Sequence, residues 1–83
     1  MASSRSLYVG FTRDGRKEGL GILKTKDYVY EGMFVNGEFQ GIGMLKTSDY
    51  EYIGEFEAGK PCGIGRKEDF DSGSTFIGVF EDS

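Results

Sequence analysis

Few residues in this chain have side chains that could carry out covalent chemistry. Its 83 residues include one cysteine, Cys62, and no histidine, so no imidazole is present to activate the thiol as a nucleophile. The acidic stretch at residues 69–73 resembles the start of a calcium-binding loop, but the remaining oxygen ligands do not follow in order. The Gly-x-Gly segments at residues 19–21 and 41–43 belong to neither of the common phosphate-binding motifs. We therefore expect no enzyme activity, no metal and no cofactor.

Charge is distributed unevenly along the chain, whose net charge is -4. Residues 1–26 contain six Lys and Arg against two acids, whereas residues 27–83 contain four against twelve. The cluster of Arg13, Arg16 and Lys17 fits either solvated turn charges or contact with an acidic partner. Nucleic acids and anionic membranes both attract clustered basic side chains, but basic residues are in excess only in residues 1–26. We therefore expect no nucleic-acid partner and no direct membrane contact.

A glycine-rich unit recurs and must organise the rest of the chain. Counting from Tyr30, glycines follow at the second, seventh, eleventh and thirteenth residues, and Phe34 stands at the fourth. Tyr8 and Tyr52 begin the same pattern, and a fourth copy opens at Phe76 and then stops. Thirteen of the 14 glycines fall in this register, which indicates a repeat architecture.

The pattern Y-x-G-x-F-x-x-G-x-x-x-G-x-G resembles the MORN repeat and covers about residues 8–80. The first copy departs from it at Thr12, which replaces the aromatic residue, and the fourth copy lacks its second half. We divide the chain into an N-terminal tail with the start of the first strand (1–7), repeats 1 to 3 (8–29, 30–51 and 52–75) and a partial repeat 4 (76–83).

Each copy has the features of a β-hairpin. Aromatic and aliphatic residues precede Asn36-Gly37, which is a strong signal for a two-residue hairpin turn. Such a turn places Gly32 opposite Gly41 and Tyr30 opposite Gly43, and four-residue connectors join one copy to the next. The prediction is an all-β fold: a single-layer antiparallel meander sheet of β-hairpin repeats, MORN-like, with about seven strands and open edges.

This register predicts two different faces. A row of glycines crosses one face: Gly10, Gly19, Gly32, Gly41, Gly54, Gly63 and Gly78, with Gly21, Gly43 and Gly65 beside the first aromatic residues. Aromatic walls turn that face into a trough, where the rings shield bare backbone and keep an exposed edge for a partner. The predicted partner-binding residues are Tyr28, Tyr30, Phe34, Phe39, Tyr50, Tyr52, Phe56, Phe76 and Phe80. The opposite face should carry one row formed by Val9, Leu20, Glu31, Ile42, Ile53, Ile64 and Ile77.

Resemblance to MORN proteins implies protein-protein contact, scaffolding and self-association in cytoskeletal, ciliary and membrane-associated assemblies. We therefore expect a non-catalytic adaptor or small structural subunit of a larger eukaryotic assembly. Two alternatives stay open: a MORN module that associates with phospholipid membranes, and a fragment of a longer MORN protein. The start MASSRSL lacks the apolar core of a secretion signal, which predicts an intracellular protein, cytoplasmic or cytoskeletal, with an organelle as the alternative.

The sheet edges offer a second type of contact. The first strand, predicted from Leu7 to Arg13, lies at the basic end of the chain, and the last strand, predicted from Thr75 to Asp82, lies at the acidic end. Unpaired strand edges are templates for strand addition. We therefore expect head-to-tail pairing with another MORN-like subunit or with a second copy of this chain.

Overall fold

The computed structural model of the protein describes residues 6–81. Most of the predicted tail, and Asp82 at the end of the predicted last strand, lie outside these residues. The strands are β1 (Ser6–Arg13), β2 (Arg16–Thr25), β3 (Tyr28–Val35), β4 (Glu38–Thr47), β5 (Tyr50–Glu57), β6 (Lys60–Asp69) and β7 (Thr75–Phe80). They form one antiparallel sheet in chain order, with β1 and β7 at its edges. The described part of the chain contains no helix, so the all-β single-layer meander is confirmed.

Two-residue turns close the hairpin of each complete repeat. Asp14 and Gly15 have φ values of 53° and 78°, Asn36 and Gly37 have 51° and 83°, and Ala58 and Gly59 have 51° and 84°. Positive φ at both central residues defines a type I′ turn, whose twist matches that of the flanking strands. The predicted hairpin turns are therefore confirmed.

The connections between repeats are tighter than predicted. The strands extend to Thr25 and Thr47 and resume at Tyr28 and Tyr50, so the expected four-residue loops are two-residue turns. The Thr25 hydroxyl accepts hydrogen bonds from the backbone N–H groups of Asp27 and Tyr28, both at 3.1 Å. Thr47 does the same at the next connection. Each threonine satisfies backbone donors within the turn, which stabilises the shorter connection.

A bulge in each hairpin changes the predicted register. Phe34 pairs with Phe39 as expected, but beyond the bulge Gly32 pairs with Gly43 and Tyr30 pairs with Leu45. The extra residues lie in the second strand around Gly41, whose φ is 76°. Glycine adopts this left-handed conformation without the steric cost of a Cβ. The predicted pairings of Gly32 with Gly41 and of Tyr30 with Gly43 are therefore wrong.

The same bulge occurs in the first and third hairpins, and it changes the members of the glycine row. The observed row, called the glycine row below, is Gly10, Gly21, Gly32, Gly43, Gly54, Gly65 and Gly78. A continuous row across all seven strands is confirmed. Gly19, Gly41 and Gly63 do not belong to it, because they occupy the bulges instead.

The hydrophobic core lies on one side of this sheet. Its buried members are Tyr30, Phe34, Leu45, Tyr52 and Phe56, and half-buried Tyr8, Leu23, Tyr28, Phe39, Tyr50 and Phe80 pack around them. We call this side the aromatic face. The other side carries exposed aliphatic side chains, among them Ile42 and Ile64.

Candidate protein-interaction surfaces

The first tyrosine of each complete repeat fixes the bulge of its own hairpin. The hydroxyl groups of Tyr8, Tyr30 and Tyr52 each donate a hydrogen bond to the backbone carbonyl three residues later, at 2.5, 2.8 and 2.9 Å. The ring of Tyr30 lies over the glycine row, so a Cβ added to Gly43 would lie 2.6 Å from its Cε1 atom. Burial raises the pKa of Tyr30 to about 12. The position of the ring therefore depends on the glycine row beneath it, and the hydrogen bond of the hydroxyl depends on the carbonyl at the bulge.

Sequence reasoning missed this role of the hydroxyl group. The available signal is the residue type at the start of each copy: tyrosine in the three complete copies and Phe76 in the incomplete one. Phenylalanine can cover a glycine in the same way but cannot donate a hydrogen bond. The pKa of Tyr52 is raised above its usual value, as that of Tyr30 is. Burial is the largest cause, and the negative charge of Glu55 adds to it.

Aromatic contacts between consecutive repeats close the aromatic face. Tyr30 stacks on Phe39, with ring centroids 3.8 Å apart and planes at 4°, and meets the edge of Phe56 from the next repeat at 5.2 Å. Tyr8 with Phe34, and Tyr52 with Phe80, repeat the contact between copies at 5.4 and 4.8 Å. Rings from neighbouring repeats thus fill the predicted trough.

The nine predicted partner-binding aromatic residues therefore fall into two groups. Tyr30, Phe34, Tyr52 and Phe56 are at most 2% exposed, so the expectation that each ring keeps an exposed edge is wrong for these four. The remaining five keep accessible surface: Tyr28, Phe39, Tyr50, Phe76 and Phe80. Contact of these five with a partner stays a prediction.

The opposite face exposes apolar side chains on six of the seven strands. We call it the aliphatic face and define it by Val9, Leu20, Ile42, Ile53, Ile64, Ile77 and Val79, all at least 40% exposed. The bulge splits the single predicted row in two, because Met44 and not Ile42 pairs with Ile53. One observed row is Val9, Ile22, Glu31, Met44, Ile53, Arg66 and Ile77. Leu20, Ile42 and Ile64 lie in the next row, at the bulges.

A shallow groove separates these two rows at the basic end of the sheet. It has a volume of about 460 Å³ and is lined by Val9, Leu20, Ile22 and Glu31, with Gly21 and Gly32 between them. The glycines leave its floor without side chains. Such a surface can accept an apolar side chain, and the exposed carboxylate of Glu31 lies beside it to receive a hydrogen-bond donor.

Hydrogen bonds between consecutive repeats connect the strands that carry the two rows of the aliphatic face. The turn residue Asn36 donates its N–H to Glu18 Oε1 at 3.1 Å, and Ala58 donates to Gln40 Oε1 at the same distance. The glycines of the second and third turns also donate to a backbone carbonyl of the preceding repeat, at 2.9 Å for Gly37 and 3.1 Å for Gly59. The tips of the second and third hairpins are thus hydrogen-bonded to the repeat before them, which connects the faces across repeat boundaries.

The residues considered for covalent or metal chemistry have local structural contacts. The Cys62 thiol lies 3.8 Å from Glu57 Oε1, and the Asp69 carboxylate accepts hydrogen bonds from the backbone of Asp71 and Ser72 at 2.9 and 3.1 Å. Among residues 6–81, His, Cys, Asp and Glu side chains form no group of three suited to a metal ion. This part of the chain also has no helix of the length and apolarity needed to cross a membrane.

Comparison with known proteins relates this geometry to a family. A comparison with curated proteins gives no match. The family model described as the MORN repeat matches residues 8–28, 30–50 and 52–74, which together make up more than half of the chain. Each matched segment begins at the tyrosine whose hydroxyl fixes the bulge, and each contains the two-residue turn and the whole second strand of one hairpin. A chain of MORN repeats is compatible with a role as a module that contacts proteins or membranes. The chain therefore belongs to the MORN-repeat family.

Proposed function

We propose that this chain is a non-catalytic protein-interaction module, an adaptor or small structural subunit of a larger eukaryotic assembly of cytoskeletal, ciliary or organellar type. It binds an apolar segment of a partner protein on its aliphatic face. The observation that carries the proposal is the set of exposed apolar side chains that the aliphatic face presents on six of the seven strands, β1, β2, β4, β5, β6 and β7.

The two faces differ in how much binding energy remains available. On the aromatic face the largest rings are already removed from water by their neighbours. On the aliphatic face Ile42 and Ile64 remain 62% and 66% exposed, and burying such a side chain contributes roughly 1.5 to 3 kcal/mol. A large exposed apolar patch typically marks an interaction surface. The aliphatic face is therefore better suited than the filled trough to bind a partner.

Capture of protein partners from native extract tests the proposal. The double substitution Ile42→Ser with Ile64→Ser removes apolar surface at two bulges without opening the core, and we expect it to reduce capture at least about tenfold, a change of about 1.4 kcal/mol. The matched control is Tyr28→Ser with Tyr50→Ser, two equivalent half-buried positions on the aromatic face. Thermal melts identify the variants that remain folded.

Two results would contradict the proposal. Selective loss of capture in the folded tyrosine variant would place the partner on the aromatic face. If the parent chain captures no protein above the level of an unrelated all-β control, the interaction function itself is wrong.

A further inference from the structure

Glu31 interrupts an otherwise apolar part of the aliphatic face. In the row that runs from Val9 to Ile77, its neighbours on β2 and β4 are Ile22 and Met44. Glu31 is also exposed, and within residues 6–81 it is the only charged side chain in the lining of the shallow groove at the basic end of the sheet. It therefore determines which charged group an occupant of the groove can bring there.

Neighbouring charged side chains leave the charge of Glu31 available. Arg66, the other charged member of the row, lies three strands away and 3.8 Å from Glu68. Lys24 and Lys46 belong to the next row, each two residues beyond the row of Glu31 along its own strand. Among residues 6–81, the Glu31 carboxylate forms no hydrogen bond or ion pair. A cation from outside the chain can therefore pair with it.

Covering the groove without such a cation would be unfavourable. An apolar side chain that fills the groove displaces water from the carboxylate of Glu31, and a carboxylate that loses water without gaining a counter-charge is strongly destabilised. A lysine or arginine in the same partner segment supplies the counter-charge, and arginine can donate two parallel hydrogen bonds to the carboxylate. An acidic residue would instead repel it. The groove should therefore select partner segments by charge as well as by hydrophobicity.

The spacing of the strands determines how far the basic residue lies from the apolar one. Neighbouring strands lie about 4.8 Å apart, so the interval between β1 and β2, next to Val9 and Leu20, is roughly 7 Å from Glu31 on β3. In an extended peptide, residues two positions apart point to the same side and lie about 6.6 Å apart. An extended segment that crosses these strands can therefore place an apolar residue in the groove and a basic residue at Glu31.

We propose that the groove binds an extended segment of a partner protein in which one residue separates a large aliphatic residue from a lysine or arginine. The aliphatic side chain lies between Val9 and Leu20, and the cation pairs with Glu31. The inference rests on the proposed binding of an apolar partner segment and names the chemistry of that segment at its charged position. Glu31 is thereby a residue that determines specificity, and reversing its charge should reverse the charge that the groove prefers.

Selection from a random peptide library displayed on phage tests this preference, with the purified full chain as bait. Peptides selected by the parent chain should be enriched in Lys or Arg two positions from Leu, Ile or Val. Glu31→Lys should instead select Asp or Glu at that position, and Glu31→Gln should select neither charge. Glu38→Lys is the matched control, because it makes the same change in net charge at an exposed residue outside the groove. It should select the same peptides as the parent.

Binding of one selected basic peptide to the ¹⁵N-labelled full chain gives the location and size of the effect. The largest backbone amide shifts should occur at residues 9, 20–22 and 31–32, which line the groove. Glu31→Lys should weaken binding at least about tenfold, a change of about 1.4 kcal/mol. Replacing the basic residue of the peptide by Glu should restore binding to this variant. Glu38→Lys should change the affinity by less than about twofold, or about 0.4 kcal/mol.

Four results would overturn the inference: no selected peptide, no charge preference among the selected peptides, the same preference in the parent and in Glu31→Lys, or amide shifts outside the groove. A dimer of the chain alone with shifted groove amides would also overturn it, because the occupant would then be a second copy. The proposed function is tested separately by Ile42→Ser with Ile64→Ser, two positions outside the groove. Loss of partner capture in that variant, with no effect of Glu31→Lys, would support the interaction function and contradict this inference alone.

Discussion

Tyr30 shows how much of this fold depends on single side chains. Its ring stacks on Phe39 and covers the glycine row, while its hydroxyl donates to the carbonyl of Met33. Phenylalanine in its place keeps the ring and loses the donor. A hydrogen bond of this type contributes roughly 0.5 to 1.5 kcal/mol, so Tyr30→Phe should lower the free energy of unfolding by about that amount at neutral pH.

The raised pKa of Tyr30 makes stability sensitive to alkaline pH. In the unfolded chain the phenol ionises near its ordinary pKa of about 10, whereas in the folded protein its pKa is about 12. The contribution of Tyr30 is therefore fully present below pH 10 and is lost as the pH rises from 10 through 12. Urea unfolding across this range should show a falling free energy of unfolding. Tyr30→Phe should show a smaller fall, and an equal fall in both proteins would mean that Tyr30 is not the responsible group.

Ala58 occupies a backbone conformation that suits other residues better. Its φ of 51° matches that of Asn36 in the preceding turn, but an alanine in the left-handed region costs roughly 1 to 2 kcal/mol, whereas asparagine tolerates it. We expect Ala58→Asn to raise the free energy of unfolding by about 0.5 to 1 kcal/mol, measured from the shift of the urea midpoint. The reciprocal control, Asn36→Ala, should destabilise by a similar amount. An unchanged or lower midpoint for Ala58→Asn would contradict this account.

At the scale of the strand, the two glycines of each Gly-x-Gly segment have different roles. Gly41 has a φ of 76° and open space around it, since its nearest contact to an added Cβ is Met33 at 3.7 Å. Gly43 has ordinary φ, but an added Cβ would lie 2.6 Å from the Tyr30 ring. Replacement at Gly41 therefore costs only backbone strain, whereas replacement at Gly43 displaces a buried ring.

This difference predicts an order of stability. Gly41→Ala should lower the free energy of unfolding by about 1 to 2 kcal/mol, and Gly43→Ala should lower it by more than about 3 kcal/mol or prevent folding. Equilibrium unfolding in urea measures both. The reverse order would show that the predicted row through Gly41, and not the observed row through Gly43, lies under the tyrosine rings.

The hairpins could be predicted from the sequence, but the register between their strands could not. Asn36-Gly37 specifies a type I′ turn by its own conformational preferences, which is a local property. Gly41 and Gly43 are chemically identical, and the choice between them depends on where the Tyr30 ring packs, which is a tertiary contact. Burial of Phe34 and Phe56 was missed for the same reason, because the rings that cover them come from neighbouring repeats.

For the whole molecule, the distribution of charge leads us to expect weak binding to acidic lipids. Residues 27–83 carry a charge of -8, from four basic and twelve acidic residues, and acidic headgroups repel such a surface. We expect only weak flotation with acidic phospholipid vesicles, abolished at moderate salt because the attraction of the basic end is screened. Neutral vesicles are the control. Tight binding that persists in salt would favour the membrane-associating alternative.

The pairing of every strand with its neighbour in the chain determines how the molecule responds to tension. Because each strand pairs only with its neighbours in the chain, we expect a force applied to the two ends to detach one edge strand at a time. The hydrogen bonds that the N–H groups of Asn36 and Ala58 donate to Glu18 and Gln40 would then break in sequence as each repeat detaches. We therefore expect a chain pulled from its two ends in a single-molecule experiment to lengthen in steps, one repeat after another, while the repeats that remain attached keep their packing.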